Sequence, residues 1–258
     1  MKIRLPKHLI SKIIRAVVEF ELIEDNDKIL IGISGGKDSL FLTYTLALLR
    51  ERLKKKFSLS ALTINPQFNN DFNVSAVTDF CKQLNIEHTV QDVDINSVIN
   101  NPNNKRNPCF TCAYFRRAAM NRYANEIGAN KVAYAHHLDD AVETFFMSLL
   151  SSGQLNTFQP KTYLDRSKIT VIRPLVYLRE YEIVKFISDS DFKPVKSPCP
   201  IDGKTNRQTV KDLINNLSRQ FPNLFSHLTA CIRKNAVGEL WEPPKTLIEM
   251  RDVYNTYI

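Results

Sequence analysis

The 258-residue sequence has no apolar run approaching the ~20 residues that cross a bilayer, and residues 1–10 lack the apolar centre of a signal peptide. Those absences predict a soluble, cytoplasmic chain with no membrane partner. Internal repeats and low-complexity tracts are missing too, so the length suits one large domain or one domain with an appendage. Cysteine is scarce and odd in number: five thiols in a cytosolic chain suggest metal binding or reactive thiols before disulfides. Acidic residues are the minority, 27 against 35 Lys and Arg. The resulting net charge of +8 suggests a polyanionic partner, with plain solubility charge as the alternative.

Two familiar phosphate fingerprints are also absent. Gly32 and Gly36 are one residue too close for a Walker A loop, and Asp38 sits where its magnesium-binding hydroxyl would be. No Gly-x-Gly-x-x-Gly pattern occurs. What is present is Ile33-Ser34-Gly35-Gly36-Lys37-Asp38-Ser39, directly after the apolar run Lys28-Ile29-Leu30-Ile31-Gly32. The run reads as a buried strand and the glycines as a tight turn; Leu40, Phe41, Tyr44 and Leu48 then recur at helical spacing, so that Ser39 opens a helix. Strand, turn and helix N-terminus present N–H groups and a positive dipole end to an anion. Phosphate is the expected ligand.

Along the rest of the chain, Leu9, Ile10, Ile13, Ile14, Val17 and Val18 predict an amphipathic helix over 6–22, whose apolar face suits a core or a homodimer contact equally. Strands are expected at 59–64, 86–93, 131–136 and 169–172, and helices at 73–84, 109–127 and 139–150. This alternation predicts an α/β fold, a Rossmann-like parallel sheet of about five strands with helical N- and C-terminal additions. The expected division is an N-terminal helix over 1–26, a nucleotide domain over 27–178 and a helical region over 179–258. Residues 151–167 read as irregular, a segment lying over the site. The basic run 50–56 reads first as a solvated helix end, with RNA contact as the alternative.

Cys109-Phe110-Thr111-Cys112 puts two thiols at a loop-to-helix junction, a pattern shared by zinc, redox and iron–sulfur sites. Cys199, between Pro198 and Pro200, is the natural third member. No fourth Cys or His lies near these three in sequence, whereas a structural zinc site normally takes four protein ligands. Three thiolates and an open position suit a [4Fe–4S] cluster. Cys81 and Cys231 are expected to be packed thiols.

A third cluster, His136-His137-Leu138-Asp139-Asp140-x-x-Glu143-Thr144, ends a strand and starts a helix, as the glycine loop does. In a parallel sheet both loops lie at the carboxyl ends of strands, where ligands bind. Asp140 with Glu143 can form a capping box, and either aspartate can complement the helix dipole. A role at the nucleotide is the competing reading, and Asp140 can do both.

Taken together, Ser34-Gly35-Gly36-Lys37-Asp38-Ser39, the Cys-x-x-Cys pair, the His-His-x-Asp-Asp stretch, Arg173-Pro174-Leu175 and the late Pro198-Cys199 resemble the tRNA 2-thiocytidine synthetase (TtcA) family of PP-loop ATP pyrophosphatases. The order matches over residues 28–220. One departure is Asp202, where members often carry a further cysteine. The resemblance implies that Gly32, Ser34, Gly35, Gly36, Lys37, Asp38 and Ser39 hold ATP phosphates, that Ile64, Ala135 and Asp140 line the nucleotide pocket, and that Cys109, Cys112 and Cys199 hold the cluster. Arg116 and Arg117, just after the cysteine pair, are placed to meet a phosphate or the base.

By the same resemblance, ATP adenylates a pyrimidine C2 oxygen in tRNA, Asp38 and Asp140 hold Mg²⁺, and sulfur delivered at the cluster then replaces the activated oxygen. The sulfur donor would be a cysteine desulfurase or free sulfide. Lys204, Arg207, Lys211, Arg219, Arg233 and Lys234 are expected to grip tRNA phosphates. Thiolation of another tRNA uridine, adenylation of a small molecule, and a non-catalytic metal-containing RNA-binding role are the alternatives. The uridine thiolases of the TtuA type carry extra zinc-finger cysteines that this chain lacks, and lysidine synthetases need no cysteine trio.

Overall fold

The computed structural model describes residues 5–68, 73–101, 103, 105–195, 199, 206–233, 246, 248 and 250. Helix α1 (Lys7–Glu19) buries Leu9, Ile13, Ala16 and Val17 along one stripe, and all four join the main core. Its apolar face is therefore occupied within the chain. Strand β1 (Asp27–Gly32) alternates across the sheet: Ile29 and Ile31 meet the α1 side, and Leu30 the other. Helix α2 (Lys37–Arg52) buries side chains on all sides, from Ser39 to Leu49, which makes it the central element of the larger core layer.

The chain continues through β2 (Phe57–Asn65), α3 (Val74–Gln83), β3 (Glu87–Asp92), α4 (Ile95–Ile99) and α5 (Pro108–Glu126). As expected, Asn73 caps α3, its side chain accepting from the Ala76 N–H at 3.2 Å. Then come β4 (Lys131–Ala133), α6 (Leu138–Ser152), β5 (Lys161–Leu164), β6 (Ile169–Ile172), α7 (Glu180–Ser188), α8 (Asn206–Gln220) and α9 (Leu224–Cys231). Residues of α1, α2, α3 and α7 pack on one face of the sheet, and residues of α5 on the other.

Among the described residues the sheet has six strands in the order β3-β2-β1-β4-β6-β5. All neighbours are parallel except β5 and β6. Strand β5 corrects the irregular reading of 151–167: it is a four-residue edge strand paired on one side, too short and too polar to show a period. β4 is shorter than expected, because the chain leaves the ladder after Ala133 and heads for α6. The path β1 to β2 to β3 runs outward on one side of β1, and β4 returns on its other side, in register at Ile31 and Ala133. Such a reversal opens a crevice at the carboxyl ends of β1 and β4.

The opposite end of those strands carries a buried ion pair. Lys131 Nζ lies 2.7 Å from Asp27 Oδ2, both side chains 3% exposed. Lys131 also donates to the Leu22 carbonyl at 3.1 Å and to Glu24 at 3.0 Å, so its charge is fully partnered. Cys81 is buried as expected, and burial pushes its thiol up to about 12. Cys231 is a correction: it is exposed, on the outer side of α9. The basic run 50–56, which begins in the last turn of α2, is structural at its start, where Arg50 donates to the carbonyls of Leu84 and Asn85. Among the described residues no helix is long and apolar enough to cross a membrane.

Candidate active site

The phosphate loop is shaped by two close approaches. Gly35 has φ +79°, and a Cβ there would stand 3.0 Å from Val77 Cγ2 and 3.1 Å from Val195 Cβ. Its carbonyl accepts from the Val195 N–H at 2.9 Å. At Gly32 a Cβ would press on the Tyr134 ring at 3.2 Å. Gly36 is the N-cap of α2, in extended conformation and with no side chain to cap the N–H groups behind it. The helix thus opens at Lys37, two residues before the predicted Ser39. Ser39 instead braces the turn, its hydroxyl accepting from the Ser34 N–H at 3.1 Å and donating to the Gly36 carbonyl at 2.9 Å.

Around this turn the crevice gathers alternating charges. Lys37 Nζ contacts Asp38 Oδ2 at 2.9 Å and Glu180 Oε1 at 3.0 Å, and Glu180 Oε2 receives Lys211 at 2.5 Å. Burial would lower the Lys37 pKa, yet the two carboxylates raise it. Burial would likewise raise that of Glu180, yet hydrogen bonds from Lys211 and Lys37 bring it down to about 2. Asp38 Oδ1 is buried with no hydrogen-bond partner, 3.9 Å from His137 Nε2, an acceptor that a hard divalent cation would satisfy.

The α6 side is anchored by a capping box one step away from the predicted pair. His137, not Asp140, is the N-cap: its N–H donates to Asp140 Oδ2 at 2.9 Å, and its Nδ1 accepts from the Asp140 N–H at 3.4 Å. Glu143 is left free of capping and lies 3.6 Å from Arg207 Nε, while Arg207 Nη1 contacts Asp140 Oδ1 at 3.2 Å. Burial, reinforced by the Asp140 charge, pushes Glu143 up to about 7. Burial lowers His136 to about 4, so its imidazole is neutral at physiological pH.

Arg207 and Lys211, expected on tRNA phosphates, face these carboxylates. Arg233 pairs with Glu19 at 2.7 Å and with the Tyr177 hydroxyl, on the α1 side, and Arg219 is exposed. Lys204, Lys234 and Asp202 lie outside the described residues. Ile64 is buried in the α5-side core, so only its backbone can meet a ligand, and Ala135 packs at the edge of the main core. Glu180 joined the site without a sequence signal, and His137, part of the third cluster, took a capping role that its pattern did not announce. A carboxylate in the first turn of a helix resembles any dipole partner, and His137 had no distinguishing mark beyond its place in the cluster.

Cys109 and Cys112 occupy the first turns of α5, which Asn107 caps by accepting from the N–H groups of Cys109 at 2.9 Å and Phe110 at 3.3 Å. Burial raises the Cys112 pKa, the Arg116 charge opposes it, and Cys199 and Cys109 add to the rise. The three thiols are therefore electrostatic neighbours although Cys199 is far away in sequence, and none is in a disulfide. Among the described residues no trio of His, Cys, Asp or Glu is close enough to clasp a single metal ion. Thiolates that bind separate irons of a cluster stand wider apart than the ligands of one ion, and three soft donors beside a cation fit such a cluster. Arg116 borders Cys112, and Arg117 is exposed on the next face.

This end of the sheet defines a class, the PP-loop proteins: the family model described as "PP-loop domain" matches residues 6–217. The chain is 36% identical over 214 residues to the tRNA-cytidine(32) 2-sulfurtransferase of Geobacter metallireducens, covering 81% of this chain and 82% of that protein. It is 33% identical over 235 residues to that of Ralstonia pickettii, covering 89% and 73%. The chain belongs to the tRNA-cytidine(32) 2-sulfurtransferase family of PP-loop proteins. In fold it is similar to the U34-tRNA thiolase NcsA from Methanococcus maripaludis, solved with its [4Fe-4S] cluster, at TM-score 0.73 and 24% identity over 88% of this chain and 76% of that one.

Proposed function

We propose that this protein is an ATP-dependent tRNA sulfurtransferase that replaces the C2 oxygen of cytidine 32 with sulfur, the activity named for its relatives. The observation that carries this reading is the meeting of two halves at one end of the sheet. The phosphate loop follows β1, and the Gly35 carbonyl is bonded to Val195, four residues before Cys199. Phosphate binding and the thiol trio are thereby held together.

In this reading the N-terminus of α2 and the turn Ser34 to Ser39 cradle the ATP phosphates and stabilise the charge on departing pyrophosphate. Asp38 and Asp140 would hold Mg²⁺, which would neutralise charge on the ATP phosphates, and Arg207 is placed to meet the nucleotide. Glu180 keeps Lys37 charged and pointed at the crevice until phosphate replaces it. Cys109, Cys112 and Cys199 would hold a [4Fe–4S] cluster, which supplies the site at which sulfur is carried to the adenylated base. Arg116, beside Cys112, meets the phosphate next to that base. A cysteine desulfurase or free sulfide would provide the sulfur, and work on tRNA places the protein in the cytoplasm. The division into an N-terminal helix (1–26), a catalytic domain (27–178) and a helical region carrying Cys199 (179–258) accompanies this assignment.

The test is anaerobic purification with iron and sulfide analysis, followed by mass spectrometry of nucleosides from tRNA incubated with ATP and sulfide. About four irons per chain, lost in Cys199→Ala, and 2-thiocytidine that requires Asp38 are expected. Thiolated tRNA from Asp38→Ala, or 2-thiocytidine from a chain without iron, would refute the assignment.

A further inference from the structure

Helix α5 brings more than thiols to the mouth of the site. Phe110 and Tyr114, four residues apart and hence on one helical face, are 54% and 52% exposed. Phe110 sits between Cys109 and Cys112 in the chain, and the Tyr114 ring is held edge-on against Phe115 at a centroid distance of 5.5 Å. The two rings border a groove of about 320 Å³ between α4 and α5, which Asn101, Asn103 and Arg106 also line. Among the described residues no carboxylate lines this groove. Lys105 and Arg106 precede the aromatic pair, and Arg116 and Arg117 follow it.

Exposed rings, amide side chains and guanidinium groups are the chemistry that receives unpaired nucleotides. Rings stack on bases, amides meet base edges, and cations meet the phosphates between them.

We propose that this groove is a stacking site for the unpaired anticodon-loop bases that flank the target cytidine. The proposal rests on the tRNA reading above. A base presented for chemistry must leave its stack, which strips its neighbours of one stacking partner. Phe110 and Tyr114 replace that partner, so the loop is held open while the target reaches the cysteine end of α5. Specificity for a loop over a duplex then arises here, where unstacked bases alone can enter.

The test uses the full chain and an anticodon stem-loop RNA carrying 2-aminopurine beside the target position, whose fluorescence falls when it stacks on an aromatic ring. Wild type should bind and quench it, and should neither bind nor quench an RNA duplex as strongly. Phe110→Leu and Tyr114→Leu, which keep the groove apolar, should each weaken binding about five- to a hundredfold and relieve the quench. Phe110→Tyr and Tyr114→Phe, which keep the rings, should stay within about twofold of wild type. Leucine variants that bind and quench as wild type does would overturn the stacking site, assign the groove to an apolar protein partner, and leave the tRNA reading intact. Failure of wild type to bind the stem-loop would overturn both.

Discussion

Replacing Gly35 by alanine tests the phosphate loop where its geometry is most demanding. An L-residue at φ +79° is in the left-handed region, which costs about 1–2 kcal/mol relative to glycine. The new Cβ would also stand 3.0 Å from Val77 Cγ2 and 3.1 Å from Val195 Cβ. Both atoms belong to stiff β-branched side chains that must give by a few tenths of an ångström, adding about 1–3 kcal/mol of overpacking. The expected loss is about 2–5 kcal/mol in urea unfolding at unchanged m-value, together with weaker ATP binding by calorimetry. Gly36→Ala is the control. Gly36 has φ −72° and its Cβ would meet only Ser34 Oγ at 3.5 Å, so its stability loss should stay below about 1 kcal/mol. A Val77→Ala change should be less harmful in the Gly35→Ala background than alone, by about 1 kcal/mol of coupling. Equal losses at Gly35 and Gly36, or no coupling to Val77, would refute the geometric argument.

Further outcomes follow from the charged network and the distant ion pair. Arg207→Ala removes the cation shared by Asp140 and Glu143 and should weaken ATP binding about tenfold, with tRNA affinity at matched salt unchanged; the reverse pattern would return Arg207 to the RNA surface. Lys131→Met removes the counter-charge of the buried Asp27 carboxylate, which keeps only the neutral donors Glu24 N–H and Asn130 Nδ2, and should cost about 3–5 kcal/mol in urea unfolding. A loss below about 1 kcal/mol would show that the charge pair is not what Lys131 contributes. Glu180 has a folded pKa of about 2, below its ordinary value of 4.5, so its contribution is present above pH 4.5 and is lost as pH falls toward 2. Allowing for solvent screening, Glu180→Gln should be about 1–2 kcal/mol less stable at neutral pH, and urea midpoints should show that gap closing on acidification. A gap independent of pH would mean that the carboxylate charge is not what stabilises the network.

Much of the fold was legible because its signals are local. The apolar run before Gly32, the helical spacing after Ser39 and the cap at Asn73 depend on neighbours a few residues apart, and each forms as its pattern requires. The sheet edge was not legible, since Lys161–Leu164 is a strand only by pairing with Ile169–Ile172. Nor was the capping of α6, where His137 and Asp140 chose each other over the equally spaced Asp140 and Glu143.

By itself the sequence determined the residue types of the site: a glycine turn before a helix, two cysteines on one helical turn and a third between prolines, and carboxylates after a strand. Those follow from chemistry and short spacing. Only the tertiary structure decided which charges meet. Strand order places β4 beside β1, so the loops after them share one crevice, and α7 and α8 close over it with Glu180, Arg207 and Lys211. The physical reason is that an ion pair between Lys37 and Glu180 leaves no trace in the residues around either one. It exists because a parallel sheet with a reversal in its strand order brings distant helix ends to the same place.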